Sequence, residues 1–308
     1  MELTGVHLLL TYQCNYECEH CFVWGSPWQE GTMTLGTIDA ILNQSKALST
    51  VEWIYVEGGE PFLYYPILVQ GVERAASLGF RVGIVTNGYW ATSVADATAW
   101  LEPFVGKVED LSVSCDPFHG GNERAEAAER AREAAKTLDI PAGTITVMEK
   151  ATNGQRRRGQ LGRGATGVMY RGRAAERLAP DVRRVGWLEY EGCPHEDLRE
   201  PGRVHVDPFG NVHICQGIVI GNVHETPLSE ICDSYDPDNH PIVGPLLEGG
   251  PTELAFRYGF TSNERYADAC HLCYACRAAL RDRFPDELRP DAVYGVGLSP
   301  IQHEEAYP

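Results

Sequence analysis

This sequence predicts an α/β fold built on a parallel sheet, and three observations point to it. Strand-like runs alternate with helical segments from Leu8 to Met148, at the interval expected when right-handed crossovers return each strand parallel to the last. Polar residues and glycines gather just after the C-terminal ends of those strands, the edge that carries the chemistry in parallel α/β barrels and open sheets. A loop with three cysteines, Cys14, Cys18 and Cys21, lies at that same edge after the first strand.

Taken in order, Leu8-Leu9-Leu10 is an apolar run that ends at Thr11. A helix begins near Thr34, with Ile38, Ile41, Leu42 and Leu48 at helical spacing. Val51 to Val56 is the second strand and runs into Glu57-Gly58-Gly59-Glu60-Pro61; Pro66 to Leu78 is the next helix. Arg81 to Val85 is the third strand, closed by Thr86-Asn87-Gly88, and Ala91 to Trp100 is helical. Val108 to Ser114 is the fourth strand, leading to Cys115-Asp116-Pro117-Phe118-His119. Glu123 to Leu138 is an alanine-rich helix and Gly143 to Met148 a fifth strand. The pattern weakens over 151–181, where 153–159 reads as a basic loop and Tyr170 to Ala175 leads into a short helix. Arg184 to Tyr190 is expected as the sixth strand. A second, smaller unit is expected from about residue 191, with a β-hairpin over 203–215 turning at Phe209-Gly210-Asn211.

With 308 residues, 43% of them hydrophobic, the chain can bury a sizeable core. No apolar run approaches the ~20 residues of a membrane span, and the N-terminus lacks the basic start of a signal peptide, so a cytoplasmic protein is expected. The net charge is −17, whereas residues 151–185 hold nine arginines against two acids. So acidic a chain argues against nucleic acid or an anionic membrane as partner. The arginine-rich stretch reads first as a solvated face. Alternatively, Arg171 or Arg173 could meet a carboxylate or phosphate on a ligand. Ten cysteines in a reducing compartment point to metal rather than to disulfides.

The spacing C-x3-C-x2-C at Cys14, Cys18 and Cys21 lets three thiolates converge on one centre. Three soft ligands suit an iron–sulfur cluster with one iron left open. Zinc is the alternative, but it normally completes four protein ligands nearby. On the fourth strand, alternation puts Ser112, Ser114 and Asp116 on one side and Leu111, Val113 and Cys115 on the other. The polar side should face the interior, making Ser114 and Asp116 candidates for ligand contact and Asp116 the candidate catalytic residue. Cys115 then turns outward as a structural thiol. Asn87 is a weaker candidate, since Asn-Gly is first a turn signal. Cys193, Cys215, Cys270 and Cys273 offer a second set of four thiolates, which zinc would also suit. Cys276 adds a further C-x2-C step as an alternative ligand, and Cys232 stands alone as structural.

The cysteine loop followed by Gly58-Gly59-Glu60-Pro61 resembles the radical S-adenosylmethionine (SAM) superfamily. The resemblance implies a partial (β/α)6 TIM-like barrel of parallel strands over residues 1–190. It implies a [4Fe–4S] cluster on Cys14, Cys18 and Cys21 whose open iron binds SAM, with His20 beside the adenine. Gly58, Gly59, Glu60 and Pro61 would meet the methionyl end, with Asn87 and Ser114 nearby. The C-terminal cysteines resemble the twitch domain, the shortened form of the SPASM domain, implying a small β-hairpin-plus-helix unit over 191–308 that holds a second, auxiliary [4Fe–4S] cluster. The implied chemistry is reductive cleavage of SAM to a 5′-deoxyadenosyl radical, which takes a hydrogen atom from a substrate carbon, with net oxidation or electron relay through the auxiliary cluster. The electron donor would be of flavodoxin or ferredoxin type. The first strand begins within the first ten residues with no peptide-recognition domain before it, which tilts the expectation toward a small-metabolite substrate over a ribosomal peptide. A non-catalytic iron–sulfur or zinc protein is the reading of another class; the Gly58–Pro61 motif and the open three-cysteine site argue against it.

Overall fold

The computed structural model describes residues 1–116, 118, 122–148, 165–260 and 265–297; the expected basic loop at 153–159 and residues 117 and 119 lie outside them. The first half follows the expected alternation. Strands β1 (Gly5–Thr11), β2 (Trp53–Gly58), β3 (Arg81–Thr86), β4 (Val108–Ser114) and β5 (Ala142–Met148) pair in parallel in that order. Between them run α1 (Leu35–Ala47), α2 (Tyr65–Ser77), α3 (Val94–Leu101) and α4 (Asn122–Thr137).

Local chemistry sets these limits. The Thr34 side chain accepts from Thr37 N and Ser93 from Asp96 N, satisfying N–H groups that a helix start leaves open. Pro61 opens a 3-10 turn, Pro61–Tyr64, at a position where its missing N–H costs nothing. In α4 the buried residues are Ala127, Ala128, Ala131, Ala134 and Ala135, one stripe at helical spacing. Their small side chains let the helix lie close over β4 and β5.

Strands β1 to β4 have an apolar outer side under the helices. Val6, Leu8, Leu10, Ile54, Val56, Val82, Ile84, Leu111 and Val113 are all buried there, each aliphatic side chain contributing about 1.5–3 kcal/mol by leaving water. His7, Leu9, Tyr55, Glu57, Ser112 and Ser114 alternate with them on the inner side. The polar side of the fourth strand therefore does face inward.

One expectation is corrected beyond residue 150. The sixth parallel strand is β6 (Ala165–Gly167), paired with β5, and not Arg184 to Tyr190. The latter stretch gives only β7 (Val185–Gly186), antiparallel to β11 (Arg265–Tyr266) in a separate two-stranded sheet, followed by a 3-10 turn at Trp187–Glu189. The short helix α5 (Arg173–Arg177) lies between them. The expected hairpin forms as β8 (Arg203–Val206) and β9 (Asn211–Cys215), extended by β10 (Ile218–Asn222). Its first strand pairs in parallel with β1, so the second half adds to the first half's sheet. Among the described residues that sheet has the order β10-β9-β8-β1-β2-β3-β4-β5-β6, a parallel α/β sheet with an antiparallel edge. No pairing joins β6 to β10, so the barrel is partial. Helices α6 (Leu228–Ser234), α7 (Val243–Arg257) and α8 (Ala269–Leu280) complete the C-terminal half.

Candidate active site

The C-terminal ends of β1 to β6 surround a cavity of about 270 Å³. Cys14, Cys18 and Cys21 line it together with His20, Gly58, Gly59, Asn87, Ser114 and Asp116. Residues from four separate segments, each expected to serve one chemistry, thus share one wall. Glu57, Tyr16, Val147 and Met169 line it too, and sequence reasoning had not singled them out.

The cysteine loop is held for sulfur ligation. Tyr16 N donates to Cys14 Sγ at 3.4 Å and Gly25 N to Cys21 Sγ at 3.2 Å. Asn87 Nδ2 lies 3.7 Å from Cys14 Sγ and donates to Asn15 Oδ1 at 2.9 Å. Such donors stabilise anionic sulfur. Burial alone opposes it, pushing the Cys14 thiol up to about 12 and raising that of Cys21. A cationic metal centre resolves the conflict, because a coordinating thiol is deprotonated outright. The donor set therefore fits an iron–sulfur cluster on three cysteines.

The turn after β2 locks against this loop. Gly59 N donates to Thr11 O at 2.6 Å and Glu60 N to Gln13 O at 2.9 Å. Gly58 has φ +135°, and a Cβ there would lie 2.4 Å from Thr11 O; glycine is required for both conformation and approach. Glu60 and Pro61 are buried behind the cavity wall rather than on it. The Glu60 carboxylate accepts from Phe62 N at 3.0 Å, Thr86 Oγ1 at 2.8 Å and Asn87 N at 2.7 Å. It braces Asn87, whose side chain reaches the cavity.

Asp116 is likewise tied to backbone. Its Oδ1 accepts from Phe118 N at 3.0 Å, its Oδ2 accepts from Val147 N at 3.3 Å, and His20 Nε2 lies 3.8 Å from that oxygen. The His20 ring, on the cavity wall, packs at 4.8 Å from Phe118 with the two rings tilted by 33°. The Cys115 thiol packs against the core, in keeping with a structural role.

Residues 8–157 match the Radical SAM superfamily, and the cysteine loop and glycine turn of that stretch form one wall. This stretch of the chain belongs to the radical SAM superfamily. The chain is 28% identical over 122 residues to the S-adenosylmethionine-dependent nucleotide dehydratase of Fibrobacter sp. (strain UWH6), 37% of this chain and 34% of that protein. It is 23% identical over 152 residues to the putative peptide biosynthesis protein YydG of Bacillus subtilis (strain 168), 48% of each. These matches span about a third to a half of the curated relatives' length. Among solved structures, BtrN in complex with AdoMet and 2-DOIA shares the fold with a TM-score of 0.51, covering 89% of this chain and 93% of that one at 16% identity. The fold is thus a partial barrel, and the radical SAM superfamily implies SAM and a [4Fe–4S] cluster.

A smaller cavity, about 20 Å³, lies in the C-terminal half of the chain and is lined by Cys193, Cys215, Cys270 and Cys273. Cys215 ends β9, and Cys270 and Cys273 sit in the first turns of α8, where the Asp268 side chain caps the helix by accepting from His271 N at 2.8 Å. Cys276 is buried one turn on and does not line the cavity. Cys232 is buried elsewhere, its carbonyl accepting from the N-terminal ammonium at 2.9 Å. Two buried guanidiniums also face the cavity: Arg171 donates to Cys215 Sγ at 3.0 Å, and Arg277 donates to Gln216 O at 2.8 Å. Burial disfavours their charge, but Cys215, Cys270 and Glu196 beside Arg171, and Tyr294, Cys273 and Cys215 beside Arg277, raise both guanidiniums above the ordinary value.

Arg171 and Arg173 form neither a solvated face nor a ligand clamp. Arg173 donates to Cys18 O and Gly25 O, both at 2.8 Å, and its own N–H donates to Cys21 O at 2.9 Å. Gly172, at φ +59°, passes so close that a Cβ would lie 2.6 Å from Cys21 O. The segment 171–173 thus touches the cysteine loop with one arginine and the second cavity with the other. Only their position at the start of a short helix hinted at it.

Proposed function

We propose that this chain is a radical SAM enzyme that oxidises a small polar metabolite, with an auxiliary [4Fe–4S] cluster on Cys193, Cys215, Cys270 and Cys273. The observation that carries the proposal is the pair of thiolate-lined cavities joined through residues 171–173. When bound, the first cluster with SAM supplies a 5′-deoxyadenosyl radical for hydrogen-atom abstraction, and the second supplies an electron acceptor or relay, with a flavodoxin- or ferredoxin-type protein as donor.

The chain's own residues prepare the site. Gly58 and Gly59 present backbone to the methionyl end, with Asn87 held beside it by Glu60. His20, packed against Phe118, offers its ring to the adenine. Ser114 and Asp116 give the remaining wall its hydrogen-bonding groups, as a substrate rich in hydroxyl or amine groups requires. Asp116 orients the substrate from its fixed position. Four protein thiolates leave the second cluster no open iron, so it acts on electrons and not by binding substrate. The units run from 1 to 190 and from 191 to 308 in function, although they share a sheet. A peptide substrate is the second reading, favoured by the similarity to YydG.

Anaerobic reconstitution with SAM and a reductant tests the proposal. Formation of 5′-deoxyadenosine together with about eight irons and eight sulfides per chain supports it. About four irons, unchanged by Cys270→Ala, removes the auxiliary cluster. Absence of 5′-deoxyadenosine with SAM bound returns the reading to a binding protein.

A further inference from the structure

Three ligand-type side chains outside both cysteine sets meet on the inner side of the sheet. His7 on β1 stands directly opposite His205 on β8 in the parallel register, and Glu57 on β2 reaches them from the other neighbour of β1. Glu57 Oε2 lies 3.3 Å from His7 Nδ1, and Oε1 lies 3.1 Å from His205 Nε2. One ligand atom from each residue falls within 4.8 Å of the others. From this geometry we infer that His7, Glu57 and His205 hold a divalent cation of the zinc type.

The distances favour coordination. Metal–ligand bonds of about 2.0–2.2 Å put neighbouring ligand atoms roughly 3.0–3.5 Å apart, the separation of the carboxylate from each imidazole. His7 Nδ1 is buried 3.3 Å from the carboxylate without meeting strict hydrogen-bonding geometry, which leaves its lone pair open to a cation. Two nitrogens and a carboxylate form the donor set that zinc and ferrous iron accept, and no thiol belongs to it.

Packing holds the His7 ring in place. The His7 ring stacks on Tyr55 with centroids 4.8 Å apart, and Tyr55 OH donates to Asp110 Oδ2 at 2.8 Å. Gly83 leaves room for that tyrosine, since a Cβ there would lie 2.2 Å from its ring. Of the three ligands only Glu57 lines the large cavity. The ion therefore sits beneath the cavity floor, behind Glu57, and pins β8 from the second half of the chain to β1 and β2.

The cluster-loaded enzyme, washed with EDTA and dialysed against zinc ion, provides the test, with zinc, iron and sulfide measured by elemental analysis. Wild type should retain one zinc per chain, and Glu57→Gln and His205→Ala should lose it with iron and sulfide unchanged. Unchanged iron separates this result from failure of the auxiliary-cluster proposal. Glu57→Gln preserves side-chain shape if His205→Ala does not fold, and anomalous scattering at the zinc edge on wild-type crystals needs no variant. Equal zinc in wild type and both variants, or an anomalous peak only among the cysteines, would overturn the assignment.

Discussion

Replacing Gly59 with alanine tests whether the turn after β2 must touch the cysteine loop. The new Cβ would lie 2.0 Å from Gln13 O, 2.5 Å from Gln13 C and 2.8 Å from Tyr12 O. Non-bonded carbons rest about 3.5–4.0 Å apart, so the overlap with Gln13 C is roughly 1 Å or more. The obstruction is backbone, and no side-chain rotation relieves it. The turn must retreat, loosening the Gly59 N to Thr11 O and Glu60 N to Gln13 O hydrogen bonds. Overpacking costs about 1–3 kcal/mol and each weakened bond about 0.5–1.5 kcal/mol, together about 2–6 kcal/mol. A domain stable by about 5–15 kcal/mol should show this plainly in anaerobic urea denaturation. Iron on the first site should fall as well, because Gln13 adjoins Cys14. Gly143→Ala is the control: nothing lies within 4 Å of its Cβ position, and its cost should stay within about 0.5 kcal/mol. If Gly59→Ala unfolds within about 1 kcal/mol of wild type and keeps its iron, the close approach is not required and the reasoning fails.

Three further outcomes are expected. Glu60→Gln replaces an acceptor of three hydrogen bonds by a group that must point N–H at donors, costing about 1–3 kcal/mol; SAM affinity by equilibrium dialysis should weaken as Asn87 loosens, and an unchanged Kd would contradict the bracing role. Arg173→Met leaves Cys18 O and Gly25 O without their guanidinium donor and should lower first-cluster iron while Cys273-bound iron survives, measured by Mössbauer spectroscopy on Cys14→Ala and Cys273→Ala backgrounds. The His240 imidazole accepts from Ile242 N and Val243 N, and burial lowers its pKa below the ordinary value. Unfolding therefore takes up a proton below about pH 6.5, so this contribution is full above that pH and is lost as pH falls toward the depressed value. His240→Asn should flatten the stability–pH curve there; parallel curves for variant and wild type would refute the assignment.

The sequence made the first half legible because its signals are local. Alternation placed Leu111 and Val113 outward and Ser112 and Ser114 inward, and the cysteine spacing and Gly58–Pro61 located the cavity wall. What stayed hidden depends on long-range pairing. His7 looks like a lone polar residue in an apolar run until β8 lays His205 opposite it, nearly two hundred residues later. Glu57 was read as a step into the glycine motif, although its side chain is an inner-face group in its own right. Arg171 and Arg173 read as surface charge because composition cannot show that thiol groups and loop carbonyls await them. The two-residue β7 could not be foreseen, since its partner Arg265–Tyr266 is equally short.

The pairing of β8 with β1 also governs how this protein must be made. β1 leaves the ribosome long before β8, and one of its two flanks stays open until residue 203 arrives. Until then its apolar, unpaired edge is a template for other chains, and closing so long a loop raises the contact order and slows folding. A chain cut at residue 190 would keep the whole radical SAM signature and expose that edge permanently. It should aggregate during expression, whereas the full chain, with β8 in place, should not.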